Sequence, residues 1–304
     1  MSGSFLEGGN LHLRMLEIAR ERNGAAGSEN RVLKIARAPV IAATRLTPTF
    51  IKKWIQGNPS LYHFFRRTFS FFVGLDGQTV SIESGPLQGM ILVVDEHVSH
   101  AHIRGTYELE TQLAIDKAVA PGFICYDLGA SIGYLSLLMA RKAKVVYAFE
   151  PAAHAAAEIR KHAAANHLEN ITIVPSPVSD AVRTVRFTQN DNTYGSRIAE
   201  GESKWPTVEL TTTTLDDFVQ ANPVPDFIKI DVEDEEARVL QGARSVLSQR
   251  KTTICCELHS EKSARGVQQI LQEYSYRITD LQGRPFAITG PVVPGEVQIL
   301  ASPG

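Results

Sequence analysis

Cysteine is scarce in this chain, with three among 304 residues. Cys125, Cys255 and Cys256 make an odd count, two of them adjacent and none in a spaced pair, which excludes a disulfide framework and a cysteine zinc site. All three fall inside apolar runs and are expected to be buried thiols packed as small hydrophobes. No apolar run approaches the roughly 18 residues of a membrane span. The opening MSGSFLEGGNLHLRMLEIARERN lacks the unbroken apolar core of a secretion signal, so the expected compartment is the cytoplasm. Internal repeats and long low-complexity segments are absent.

What is present is an ordinary globular composition, 43% hydrophobic and 21% charged, in a chain long enough for one large α/β domain with an N-terminal extension. The charge is unevenly placed. Between Arg31 and Leu75 stand Arg31, Lys34, Arg37, Arg45, Lys52, Lys53, Arg66 and Arg67 without one acidic residue, a window of +8 that leaves −10 for the rest of a chain whose net charge is −2. Phe50, Trp54, Tyr62, Phe64, Phe65, Phe69, Phe71 and Phe72 crowd its second half. This pattern is either a solvated face of a small helical subdomain or a surface that docks an anionic partner. Nucleic acid is not expected, because the remainder is acidic and no nucleic-acid motif accompanies the patch.

The pattern divides the chain into a helical, basic and aromatic extension over 1–78, a β-hairpin lead-in over 79–107, and a main domain over 108–304. A helix is expected around Leu11 to Arg22. TVSIESGPLQGMILVVD alternates about a Ser-Gly-Pro turn and reads as the hairpin. From Glu108 strands and helices alternate: helix Leu109 to Ala118, strand Phe123 to Leu128, helix Gly133 to Arg141, strand Val145 to Phe149, helix Ala152 to Asn166 and strand Ile171 to Val174. A polar insertion with short strands follows. Then come strand Phe227 to Ile230, helix Glu235 to Ser248, strand Thr253 to Glu257, helix Lys262 to Tyr274, and strands near Tyr276 to Thr279 and Val297 to Ala301. Parallel strands joined by right-handed helical crossovers make an open, doubly wound sheet.

The densest signal is FICYDLGASIGYLSLLMARKAKVVYAFEP. It is a strand ending in Asp127, a turn through Gly129, Ala130, Ser131 and Gly133, a helix, and a second strand ending in Glu150. Glycines let a ligand approach the backbone, and a helix starting at Gly133 would offer N–H groups to an anion. Glu150 is placed to accept both hydroxyls of a ribose. The spacing departs from G-x-G-x-x-G, and Asp127 ahead of the turn would repel a pyrophosphate but attract an ammonium. S-adenosylmethionine therefore fits better than NAD. The carboxyl ends of the expected parallel strands read Asp127, Glu150, Asp231 and Glu257, with Glu233 and His259 just beyond, a gathering of like charge that needs a cation or donors to offset it.

SGPLQG, GTYELE, DLGASIGYLSLL, AFEP, VSD, TLDDF, DFIKIDVEDEEARVLQGA and CELH, in that order from Ser84 to His259, resemble the FkbM family of S-adenosylmethionine-dependent methyltransferases. The resemblance implies a Rossmann-like class I methyltransferase fold, with a mostly parallel seven-stranded sheet and a reversed last strand. It implies O-methylation of hydroxyls on sugars, polyketides and related metabolites. Cofactor contacts then fall on Asp127, Gly129, Ala130, Ser131, Gly133, Glu150, Pro151, Asp231 and, after the third strand, Val178, Ser179 and Asp180. Catalytic candidates are Asp231, Glu257 and His259, with His259 or Glu257 as general base. These three also present groups suited to a divalent ion, but the family is not generally metal-dependent and no metal is expected. The acceptor expected is a small molecule or glycan, free or in phosphorylated, lipid-linked or carrier-bound form, with at most peripheral membrane contact. Two departures stand out: Ser131 replaces the family's Asn, where its hydroxyl is expected to cap the turn, and Asp234 replaces the glycine of D-V-E-G-x-E. The second admits an alternative, a methyltransferase fold that binds the cofactor without turnover.

Overall fold

The computed structural model describes residues 77–188, 196–199, 201–203, 205–287 and 297–304. The expected helix over Leu11 to Arg22 and the basic, aromatic segment lie outside the described residues. The chain divides into one unit of Met1–Gln78 with Val94–Glu96, and a second of Thr79–Val93 with His97–Gly304. In the first, the N–H of Gly77 donates to the carbonyl of Val94 and that of Val94 to the carbonyl of Gln78.

The hairpin is present: β1 (Thr79–Ser81) pairs antiparallel with β2 (Ile91–Val93). Two helices follow, α1 (His100–Arg104) and α2 (Leu109–Ala118). The sheet is built from β3 (Ile124–Leu128), β4 (Val145–Phe149), β5 (Ile171–Val174), β8 (Phe227–Ile230), β9 (Thr253–Leu258), β10 (Tyr276–Asp280) and β11 (Val297–Pro303). Its order is β10-β11-β9-β8-β3-β4-β5, seven strands in all. β3, β4, β5, β8 and β9 run parallel, whereas β11 is antiparallel to both β9 and β10. This is the class I methyltransferase arrangement with its reversed strand. The polar insertion supplies a separate antiparallel ribbon, β6 (Thr184–Thr188) with β7 (Thr207–Thr211).

The central strands are covered on both faces, which is why ICYDL and FIKI are almost continuous apolar runs. Their two exceptions, Asp127 and Lys229, are both buried and stand opposite each other in the β3–β8 register. Buried charges are retained where they are paired, and these two mark the edge that carries the site. Helix α3 (Tyr134–Ala140) is buried along its whole length, α4 (Ala153–Ala165) packs on the β4–β5 side, and α5 (Leu215–Phe218) brings Phe218 against Tyr126, Tyr147 and Phe149. Helix α8 (Glu261–Glu273) buries Ser263, Ala264, Val267, Ile270 and Leu271, one face at helical spacing, and Ser260 caps it by accepting from the N–H of Ser263.

Several expected boundaries move by a residue or two, and two differences bear on the site. α3 begins one residue later than its pattern suggested, because Gly133 takes a left-handed φ of +81° and stands as the N-cap. The expected helix from Glu235 to Ser248 is two, α6 (Glu236–Gln241) and α7 (Arg244–Ser248), parted at Gly242. There the backbone passes so close to Ser179 that an added Cβ would sit 2.3 Å from its carbonyl oxygen. All three cysteines are buried and unpaired.

Candidate active site

The turn after β3 is tied down by its own backbone. The N–H groups of Gly129 and Ala130 donate to the carbonyl of Phe149 at 3.0 and 3.1 Å, and that of Gly133 to Ala130 at 2.8 Å. Glu150 accepts from the Ser131 N–H on one oxygen and the Ala152 N–H on the other, both at 2.8 Å. The donors expected to await an anion at this turn are thus largely spent. Burial pushes the Glu150 carboxyl up to about 7 against the pull of those two N–H groups. Ser131 holds the left-handed conformation at φ +51°, but its hydroxyl is buried without a hydrogen-bond partner, so it does not cap the turn as expected. Gly129, at φ +77°, is required twice over: an added Cβ would lie 1.8 Å from the carbonyl oxygen of Asp231.

Beneath the turn, Asp127 accepts from the hydroxyl of Ser136 and faces Lys229 Nζ at 3.8 Å. Lys229 donates to Asp231 Oδ2 at 2.9 Å and to the carbonyl of Gly129 at 3.4 Å. Burial alone would lower the Lys229 ammonium, but Asp231, Asp127 and Glu108 around it hold it above its usual range. Burial raises Asp127 despite Lys229. Glu108 enters from the N-cap of α2 at φ +44°, raised by burial, and its Oε2 has no hydrogen-bond partner.

The third group sits at the ends of β8 and β9. His259 Nδ1 bonds Glu236 Oε1 at 2.7 Å, and Glu236, fully buried, is held by the hydroxyl of Ser263 and the N–H of Asp234. His259 Nε2 faces Asp231 Oδ1 at 3.4 Å, Glu257 Oε1 at 3.5 Å and Glu233 Oε2 at 3.9 Å. Burial would lower this imidazole, but the Glu236 bond and the surrounding carboxylates lift it to about 9. Burial and the charge of Asp231 raise Glu257 to about 7.

A cleft of about 930 Å³, counted out to its mouth, opens along these groups. Among the expected cofactor residues, Gly129, Ala130, Ser131, Glu150, Pro151, Val178 and Asp231 line it. Asp127, Gly133, Ser179 and Asp180 do not: Asp127 lies under the turn, and Ser179 bonds Glu235 while Asp180 pairs with Arg183. Glu257 and His259 stand behind Asp231, with Glu233 in the wall beside it. Asp234 adopts the positive φ, +79°, that its family counterpart glycine would favour, with its side chain exposed and outside the cleft wall.

Residues 127–278 match the Methyltransferase FkbM domain, a span of half the chain. The chain belongs to the FkbM methyltransferase family. It is accordingly an S-adenosylmethionine-dependent methyltransferase, and a methyl acceptor is implied. No curated protein gives a significant match. Similar solved structures include the methyltransferase FkbM from Methylobacillus flagellatus, at 16% identity over 67% of this chain and 55% of that one, TM-score 0.39. Others are the precorrin-6y C5,15-methyltransferase from Geobacter metallireducens (14%, 65% and 88%, TM-score 0.39) and the ribosomal protein L11 methylase from Lactobacillus delbrueckii subsp. bulgaricus (15%, 64% and 75%, TM-score 0.39).

The cleft of this FkbM-family chain suits a cationic cofactor, since Glu108, Glu150, Asp231, Glu233 and Glu235 in its wall outnumber its two cations, Lys229 and Arg197. Two participants were not singled out from the sequence. Glu236 is the last acid of the DVEDEE motif, so its signal was there. Glu108 lies in GTYELE, but only its left-handed backbone turns it inward, and no spacing rule reveals that.

Proposed function

We propose that the protein is an O-methyltransferase that methylates a hydroxyl of a sugar or secondary metabolite of polyketide or glycan type. One observation carries this reading: a single cleft joins the glycine turn and Glu150 to the acidic end of β8 at Asp231 and Glu233, with Glu257 and His259 immediately behind. When bound, S-adenosylmethionine supplies an activated methyl group. Glu150 receives the ribose hydroxyls on its remaining lone pairs, with Gly129, Ala130, Ser131, Pro151 and Val178 enclosing the nucleoside. Glu108, whose Oε2 lacks a partner, receives the methionine ammonium in place of Asp127, which instead steadies Lys229 under the turn.

Asp231 and His259 hold the acceptor hydroxyl in line and Glu257 takes its proton as oxygen bonds the methyl carbon and the carbon–sulfur bond breaks onto sulfur. Positioning supplies most of the acceleration in such a displacement. The basic, aromatic extension recruits an anionic acceptor, such as a phosphorylated or lipid-linked glycan. The test is a panel of hydroxyl acceptors assayed with the full chain and His259→Ala. Turnover is expected to fall about 100-fold or more with cofactor affinity nearly intact; unchanged turnover across pH 6 to 9 removes His259 from the chemistry.

A further inference from the structure

The cluster behind the cleft has a geometry that hydrogen bonding does not explain. Asp231, Glu257 and His259 each offer one ligand atom, all within 4.8 Å of one another. The other oxygen of each carboxylate is already taken: Asp231 Oδ2 accepts from Lys229 and Glu257 Oε2 from Gln298, both at 2.9 Å. The oxygens left over surround His259 Nε2 at 3.4 and 3.5 Å without a hydrogen bond to it. Donors each ~2.0–2.2 Å from one ion, at near-tetrahedral angles, stand about 3.3–3.6 Å apart.

A second observation is independent of the carboxylates. The imidazole is 8% exposed, and its Nδ1 is engaged by Glu236, a fully buried acid itself held by Ser263 and the Asp234 N–H. A buried carboxylate on the far ring nitrogen is how a metal-binding histidine is fixed in orientation and made a better ligand. Here it aims Nε2 at the two remaining oxygens.

We propose that Asp231 Oδ1, Glu257 Oε1 and His259 Nε2 bind a divalent cation of the Mn²⁺ or Zn²⁺ kind. Two carboxylates and one imidazole suit ions of intermediate hardness better than Mg²⁺ or Ca²⁺. This departs from the metal-free expectation drawn from the family. Three protein ligands leave positions for an acceptor oxygen arriving from the cleft, where Asp231 and Glu233 form the wall. On the hydroxyl-methylation reading, with Asp231, Glu257 and His259 engaged by the ion, the proton goes instead to Glu233 in the neighbouring wall, the acceptor oxygen bonds the methyl carbon, and sulfur leaves with the electron pair of the broken bond.

The site is tested apart from that reading. Full-length protein stripped with chelator is titrated with Mn²⁺, followed by loss of the free-ion electron paramagnetic resonance signal, with Zn²⁺ as competitor and Mg²⁺ as comparator. The expected result is one Mn²⁺ per chain, displaced by Zn²⁺ more readily than by Mg²⁺. Glu257→Gln and His259→Gln should each weaken Mn²⁺ at least tenfold, and Glu236→Gln by about 10- to 100-fold, while S-adenosylmethionine binding by calorimetry stays within twofold and certifies the fold. No saturable Mn²⁺ or Zn²⁺ binding, or undiminished binding in both ligand variants, overturns the proposal. Methyl transfer that persists unchanged after chelation leaves the methyltransferase reading intact and removes the ion from the reaction. An ion that binds as described without transfer to any hydroxyl leaves the site standing and sinks the acceptor assignment.

Discussion

Glu150 shows how much and how little one residue discloses. Its place at a strand end was legible in the sequence, because an acid closing an apolar run beside a glycine turn has few structural reasons to be there. That both oxygens already accept backbone N–H groups was not, since the bonds arise from the path of the chain through Ser131 and Ala152. Glu150→Ala is expected to weaken S-adenosylmethionine by about 1.5–3 kcal/mol in calorimetry, as for lost hydrogen bonds to a charged group. Its titration gives a second expectation. Burial raises the folded carboxyl to about 7, the N–H groups of Ala152 and Ser131 and the Lys229 charge oppose this, and Asp127 adds to it. In the unfolded chain the group loses its proton near the ordinary 4.5. Between those values the folded state binds the extra proton, so this contribution to stability is full below about pH 4.5 and is lost as pH rises to about 7. The thermal midpoint of the cofactor-free protein should therefore fall from pH 5 to pH 7.5, with a smaller slope in Glu150→Gln. Cofactor affinity, which needs the ionised carboxylate, should run the opposite way, and equal slopes for parent and variant would refute the assignment.

At the scale of elements, the turn after β3 and the end of β8 are one mechanical unit. On the proposed reading Gly129 belongs to the cofactor side and Asp231 to the acceptor side, and the two backbones run so close that a Cβ added at Gly129 would lie 1.8 Å from the carbonyl oxygen of Asp231. Gly129→Ala should cost about 2 kcal/mol or more in denaturant unfolding, from the clash and the positive φ together. Asp234→Gly should do the reverse, raising stability by about 0.5–1 kcal/mol as the left-handed strain at φ +79° is relieved. A destabilised Asp234→Gly would mean that the exposed side chain makes contacts that outweigh its strain. The strands and long helices were legible because their apolar runs and amphipathic spacing follow from burial. The break at Gly242 and the idle Ser131 hydroxyl were not, because each depends on a segment distant in sequence, Ser179 in the first case and Glu150 and its neighbours in the second.

At the scale of the whole molecule, the alternation of strands and helices foretold a doubly wound sheet, and the family resemblance supplied the reversed strand, which no local pattern encodes. The candidate site was legible as a row of strand-end acids; its division into a cleft wall, a buried Asp127–Lys229 layer and a histidine cluster needed the register of β3 on β8. Among the described residues no helix is long and apolar enough to cross a membrane. The charge asymmetry carries its own expectation. If the +8 window over Arg31 to Leu75 recruits an anionic acceptor, then affinity for that acceptor should fall as salt rises, and reversing Lys52, Lys53, Arg66 and Arg67 in the full chain should abolish the dependence without touching cofactor binding. A salt-independent acceptor constant would leave the window a solvated face. The position of β11 reaches further, into the order of events during synthesis. It is the last of the seven strands in sequence yet lies between β9 and β10. Until residues 297–303 have been made and placed, β9 keeps a bare edge and β10 has no neighbour to pair with, so these strand edges stay open to other chains until the last of the seven strands arrives.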